Sequence, residues 1–360
     1  MFSYDRTDFY NQSDNNNLDG TIPPQLGNLK NIEFLHLGRN ALHGTIPTVL
    51  GNLMGLEILF ITITNIEGTI PTELGNLMNL RELVLNTNDL IGTIPTELGN
   101  AMALERLSLY GNALNGIIPA ELGNLTNVTY LAFDSNELIG TIPTELGNAI
   151  GLEELYLYDN ELTGTIPTDL GNLMNLRELD FSDNPLTGTI PTELGKLSTI
   201  ALCSNELTGT IPTEIGDFMN LKDLLVICDN KLKSTIPTEL GNLVNLEELY
   251  LDNNEMTGTI PSELGNITNL ERFYLYDNEL TGTIPSELGN LTNLERFYLN
   301  ENMFSNAWRV TGMQAFAFPE ALCNLFVTGN AVNYRLDNAA GFGVVDNEAD
   351  CLAAIFDPVP

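Results

Sequence analysis

The stretch Leu246–Asn269, LEELYLDNNEMTGTIPSELGNITN, returns as Leu270–Asn293, LERFYLYDNELTGTIPSELGNLTN, at a spacing of 24 residues, and earlier copies run back to Leu18–Asn31. A fixed period of this size is the signature of a solenoid and constrains the fold more than any other feature. In the copy that starts at Leu270, apolar residues fall at Leu270, Phe273, Leu275, Leu280, Ile284, Leu288 and Leu291. The front part alternates in and out, which suits a short strand. Asn278 follows, where a buried amide can bond to backbone groups that a turn leaves unpaired. Gly282 permits a tight bend. Pro285 suits the first turn of a short helical segment, Glu287 sits near its positive start, and Gly289 closes it. One coil cannot bury enough surface to order itself, so stacked coils must share one core.

The pattern L-x-x-L-x-L-x-x-N-x-L-x-G-x-I-P-x-x-L-G-x-L resembles the plant-type leucine-rich repeat over about Leu18–Asn302. The resemblance implies an α/β class fold, a right-handed curved solenoid of about 12–13 coils. It places a parallel β-sheet on the concave face, with a short second sheet from the Thr-Gly-Thr-Ile segments and 3-10 or helical turns elsewhere. Family members include receptor-like kinase ectodomains and secreted inhibitors of wall-degrading enzymes, which bind rather than catalyse. Members usually open with a cysteine-paired cap, but no Cys precedes Cys203. Residues 1–17 are therefore read as an irregular, truncated cap, with Phe2, Tyr4, Phe9 and Tyr10 as a makeshift cover. Residues 303–360 form a C-terminal capping region. In this family a C-terminal cysteine pair closes the last coil, which implies a Cys323–Cys351 disulfide and a secreted or cell-surface location.

Among 360 residues, 48 acids face 14 basic residues, a net charge of −34. That excludes nucleic acid, which needs a basic footprint, and disfavours anionic membranes. Solubility alone is the bland explanation. No apolar run approaches the roughly 18 residues of a membrane helix, and Met1–Tyr10 is not a secretory signal. Sequons occur at Asn11, Asn124, Asn127, Asn266 and Asn290, and such triplets arise by chance in an Asn-rich repeat.

Three departures from the period stand out. Leu56–Asn79 is degenerate: Thr64 takes the Asn position, while Phe60 and Ile63 add apolar groups. A 21-residue copy is followed by a 25-residue one, Leu221–Asn245, and a bulge or local change of curvature is expected there. Cys203 and Cys228 each lie two residues before an Asn, in one slot of adjacent strands. Strands about 4.8 Å apart allow a disulfide there; two free thiols are the alternative.

The outward strand slots are where a ligand would sit. The central slot holds His36, Phe60, Val84, Ser108, Ala132, Tyr156, Asp180, Ala201, Val226, Tyr250, Tyr274 and Tyr298. Two residues on come Tyr110, Tyr158, Asp252 and Tyr276, and the next slot supplies Asp159 and Asp277. The tyrosines Tyr156, Tyr158, Tyr250, Tyr274, Tyr276 and Tyr298 are candidate anchors. Asp159, Asp252 and Asp277 are candidate selectors of positive charge, so the stripe suits a basic peptide or protein, or a sugar ring stacked on Tyr. The bland reading is that Tyr is a good strand residue, carried along by repeat copying. Two Thr rows, with Thr45 and Thr72 as first members, resemble those of ice-binding solenoids, although Glu73 and its equivalents run beside the second. His36 and His43 sit in exposed slots and are not metal ligands, and no catalytic or cofactor motif is present. The expected function is therefore non-enzymatic: a recognition module for a protein or peptide. The alternatives are an inhibitor of a wall-degrading hydrolase and an ice-binding or structural solenoid.

Overall fold

The computed structural model describes residues 16–194, 197–218 and 220–304. The N-terminal aromatics, Asn11 and the Cys323–Cys351 pairing lie outside the described residues. Contacts cluster into two units, one up to Leu176 and one from Arg177.

In the first unit, three-residue strands recur once per coil: Phe34–His36, Ile58–Phe60, Glu82–Val84, Arg106–Ser108, Tyr130–Ala132 and Glu154–Tyr156. They pair parallel and in register, so His36, Phe60, Val84, Ser108, Ala132 and Tyr156 form one row. A second parallel sheet starts with Asp19–Thr21, Ala41–Thr45 and Asn65–Gly68 and continues to Glu161–Thr165. In the second unit the main strands are Glu178–Asp180, Thr199–Ala201, Leu224–Val226, Glu248–Tyr250, Arg272–Tyr274 and Arg296–Tyr298. The second-sheet strands there shrink to two-residue pairs, such as Thr257–Gly258 with Glu279–Leu280. The middle residue of each main strand points inward, as period 2 requires. Leu83, Leu107 and Phe273 are fully buried. In the coil from Leu80 the core is Leu80, Leu83, Leu85, Leu90, Ile94, Leu98 and Ala101, each at most 2% exposed.

The rest of each coil is a 3-10 turn, such as Thr96–Asn100 or Ser286–Asn290, and no α-helix occurs among the described residues. Pro285 stands outside its turn, in extended conformation at φ −65° and ψ 138°, with its carbonyl accepting from Leu288 N–H. It caps the turn rather than occupying the first helical position. The following Gly does not close the turn by a left-handed bend either. Leu291 ends Ser286–Asn290. A Cβ on the equivalent Gly265 would lie 2.3 Å from the Glu287 carbonyl oxygen of the next coil. This Gly lets successive turns pack backbone to backbone. The bend glycine behaves as expected, with Gly282 at φ 79°.

Asn side chains run as a ladder through the interior. Asn136 Nδ2 donates to Phe133 O and Asp134 O in its own coil and to Leu109 O in the preceding one, while its Oδ1 accepts from Leu114 N–H. At the degenerate rung, Thr64 is buried and its hydroxyl bonds Asn88 Oδ1. The residue before each Asn turns left-handed, and Asp159, Asp277 and Asn253 all have φ between 50° and 56°. Asn and Asp tolerate that region; a β-branched residue does not. Ile63 occupies it at φ 53° with its side chain exposed. Ile63→Asn is therefore expected to stabilise the first unit by about 1 kcal/mol. A urea midpoint at or below that of the wild type would refute the strain.

The irregular coils keep the strand register: Asp180 pairs with Ala201 and Ala201 with Val226. No bulge interrupts these strands. The shortfall falls between Leu197 and Ile200 and the extra residue between Leu221 and Leu225, so connections absorb the length changes. Cys203 and Cys228 are joined by a disulfide with Cα atoms 4.5 Å apart, and Cys228 N–H donates to Cys203 Sγ at 3.0 Å.

Candidate functional site

On the first unit's strand face, not every outward slot is open. Val84, Ser108 and Ala132 are buried, Ser108 donating to Asn86 Oδ1, and Phe60 packs against His36 with ring centroids 5.1 Å apart. The larger groups stand at Tyr156 and in the slot two residues earlier. The Arg106 guanidinium lies 3.5 Å from the Tyr130 ring centroid, and the Tyr130 and Tyr156 rings are 5.6 Å apart. Tyr156 donates to Glu154 Oε2 at 3.2 Å. Burial pushes the Tyr130 phenol up. Tyr158 is half-buried, and Asp159 is exposed at its left-handed corner.

The second unit carries the denser cluster. The register sets Tyr250, Tyr274 and Tyr298 side by side. The Tyr250 and Tyr274 rings stack at 4.4 Å and 10°, and the Tyr274 and Tyr298 rings lie 4.7 Å apart at 42°. Tyr276 meets Tyr298 edge-on at 6.4 Å. Tyr250 also packs against an apolar patch of Ala201, Cys203, Leu224 and Val226, beside the disulfide. Tyr250 donates to Glu248 Oε2 at 2.6 Å, and Arg272 pairs with Glu248. Desolvation first, and then Glu248, raise the Tyr250 phenol. Arg296 is exposed and lies beside the Tyr274 hydroxyl, which raises the guanidinium's pKa.

Glu248, Arg272 and Arg296 are functional candidates that the sequence reading left out. They lie two residues before the tyrosine slot, and the same alternation that picked out the tyrosines puts them on the same face.

Asp252 is 3% exposed and faces into the cluster rather than outward. It accepts from Asn253 Nδ2 at 3.4 Å and lies beside Tyr276, while its Oδ1 has no hydrogen-bond partner. Desolvation raises its carboxyl above the usual range. Asn253 Nδ2 also donates to the Tyr276 hydroxyl at 3.5 Å, so the two side chains share one amide. The Asp252 carboxylate approaches Asp229 and Cys228, but a disulfide sulfur offers no thiolate, and two carboxylates alone do not make a metal centre. The raised pKa means that the folded state binds the Asp252 proton more tightly than the unfolded state. Its contribution to stability therefore grows as pH falls through the folded value toward the unfolded one, about 3.9. Asp252→Asn should raise the unfolding midpoint at pH 7, with the gain fading as pH falls through the folded value and gone by about pH 4. A variant less stable than the wild type at pH 7 would show that the carboxylate charge is needed.

The two Thr rows have structural partners. Thr45 Cγ2 would lie 2.8 Å from a Cβ on Gly68, and Thr259 Cγ2 2.7 Å from one on Gly282. The second-row hydroxyls of Thr72, Thr96, Thr238 and Ser262 donate to the neighbouring Glu. Of the sequons, Asn124, Asn266 and Asn290 are exposed at the ends of 3-10 turns. Asn127 Nδ2 already donates to Met102 O at 2.9 Å.

Residues 72–201 match the model of a leucine-rich repeat region, and residues 245–267 and 269–291 match single leucine-rich repeats. No curated protein matches the chain. Among solved structures, the plant peptide hormone receptor RGFR1 in complex with RGF2 is similar with a TM-score of 0.72 and 33% identity, over 80% of this chain and 50% of that one. The Arabidopsis receptor kinase HAESA, in complex with the peptide hormone IDA and the co-receptor SERK1, has a TM-score of 0.63 and 29% identity, over 80% and 57%. A plant ice-binding protein has a TM-score of 0.55 and 29% identity, over 67% and 81%. The chain spans about half the length of the receptor structures. Among the described residues, no helix is long and apolar enough to cross a membrane.

Proposed function

Because the chain is a leucine-rich-repeat protein of the plant type, we propose that it is an extracellular-facing, non-catalytic module that binds a peptide on the main sheet of residues 177–304. The observation that carries this reading is the ladder of Tyr250, Tyr274 and Tyr298, with Tyr276 against it. Four aromatic side chains held by one another form a pre-ordered surface, and pre-ordering lowers the entropic cost of binding. Similar chains in solved structures are receptors in complex with peptide hormones, which supports a peptide as the ligand class.

The charge of the ladder's surroundings sets the ligand's character. Asp252 is buried and Arg272 is paired with Glu248, whereas Arg296 is exposed beside Tyr274. An acidic group on the peptide fits that corner better than a basic one. A sugar would need an open ring face, and Tyr250 and Tyr274 cover each other's. Tyr156, Tyr158 and Asp159 form a separate candidate patch on the first unit.

The test is a pull-down from extracellular extract at two salt concentrations, followed by titration of the recovered ligand. Tyr274→Ser with Tyr276→Ser is expected to weaken binding about 100-fold while leaving the fold intact. Unchanged affinity would remove the site from this face. Tyr156→Ser with Tyr158→Ser reads the first unit's patch separately. Recovery of a wall-degrading hydrolase inhibited by the chain would favour the inhibitor reading. The match to the plant ice-binding protein supports one further arm, ice-crystal shaping in solution. The Thr–Glu hydrogen bonds of the second row weigh against that outcome.

A further inference from the structure

The first unit exposes a stripe of apolar side chains away from both sheets. Met54, Met78, Met102, Ile150 and Met174 occupy one slot, two residues past each 3-10 turn, and are 48–67% exposed. The fold does not require them to be apolar. Lys30 and Thr126 hold the slot in the same unit, and Val244, Thr268 and Thr292 hold it in the second, all exposed. Burying five such side chains in solvent-free contact would release considerably more free energy than five threonines could.

A groove runs beside the stripe, lined by Gly75, Gly99, Gly123, Met78 and Met102, with Asn124 and Thr126 on its wall and Asn148 in the coil beyond. Its depth follows from the glycines, against which the backbone of Glu97, Glu121 and Glu145 packs directly. These three side chains are exposed. Thr96 and Thr144 donate to two of them, and among the described residues no cation pairs with any of the three. An apolar strip bordered by unpaired carboxylates is complementary to a segment that is apolar on one side and cationic on the other. Methionine suits such a strip because its flexible, polarizable side chain adapts to irregular apolar surfaces. A second copy of this chain fits poorly, since each carries a net charge of −34.

We propose that this stripe is a docking surface, distinct from the tyrosine face, for a cationic amphipathic helix of a partner protein. Coils about 4.8 Å apart put Met54 and Met174 roughly 24 Å from each other. A helix of about 16 residues covers that span.

The probe is a labelled synthetic Leu/Lys amphipathic helix of about 16 residues, titrated into the full chain beside a scrambled peptide of the same composition. The helix is expected to bind, and the scrambled peptide to bind about tenfold more weakly or worse. Met78→Thr with Met102→Thr places at both positions the residue found at Thr126, so folding is retained. That variant should lose about tenfold in affinity. Tyr274→Ser with Tyr276→Ser should lose none, which separates this surface from the proposed peptide face. Equal affinity for both peptides would reduce the interaction to net charge and overturn the proposal, as would unchanged binding by the Met variant. A dimer seen in sedimentation and abolished by the Met variant would make a second copy the occupant. An N-glycan found on Asn124 of the secreted protein, together with loss of helix binding, would equally overturn it.

Discussion

Gly123→Ala should destabilise the first unit by about 3 kcal/mol or more, although it adds one methyl group. The reason is distance. A Cβ at Gly123 would lie 2.1 Å from the Glu145 carbonyl oxygen and 2.6 Å from its carbon. Both obstructing atoms are backbone of the next coil, so no side-chain rotation relieves the clash. Either the 3-10 turns separate, losing contacts between Leu122 and Leu146 layers that are fully buried, or the backbone distorts. Gly55→Ala is the matched control. Its Cβ would meet nothing nearer than 3.6 Å, the carbonyl oxygen of Lys30, and the change should be neutral within about 0.5 kcal/mol. Equal urea midpoints for the two variants would show that the turns are not in backbone contact.

Asn254→Ala should cost about 3–4 kcal/mol. Asn254 Nδ2 donates to Ile227 O, Leu251 O and Asp252 O, and Oδ1 accepts from Leu232 N–H. Removing the amide leaves several buried backbone groups without partners in a space too small for free rearrangement. Asn254→Asp keeps the shape but replaces the donor with acceptors facing carbonyl oxygens, and should be at least as damaging at neutral pH. Because each rung ties two coils, the loss should propagate. Amide exchange should accelerate in the coils on both sides of Asn254, not only in its own. Exchange confined to one coil would show that the ladder is not shared. Thr64 is the chain's own substitution at this slot, and its hydroxyl replaces only part of the set by bonding Asn88.

The legible part of this molecule was periodic. Leu83, Leu85 and Leu90 could be assigned to the core, and Cys203 and Cys228 to one slot, because a repeat converts sequence spacing directly into position. The Asn role was legible for the same reason. What was not legible depends on how neighbouring coils fill the space between them. Gly123 looks like a turn terminator until the next coil's carbonyl is placed against it. Asp252 looks like a surface acid until Tyr276 and Asn253 are set beside it. Asp277 and Ile63 share a slot whose left-handed backbone is not visible in residue type alone. Arg272 and Arg296 could have been found, since two-residue alternation extends one step further back than the tyrosine slot.

The preserved register across the 21- and 25-residue coils bears on how such a chain changes over generations. A change of length within a coil would shift the following strand out of register unless something absorbed it. Here the connections ahead of the strands take up the difference, and the outward row keeps its order through it. The letters of that row can thus be rewritten one coil at a time, while slippage elsewhere in the text leaves the line unbroken. Side chains in that row can change without first having to repair its spacing.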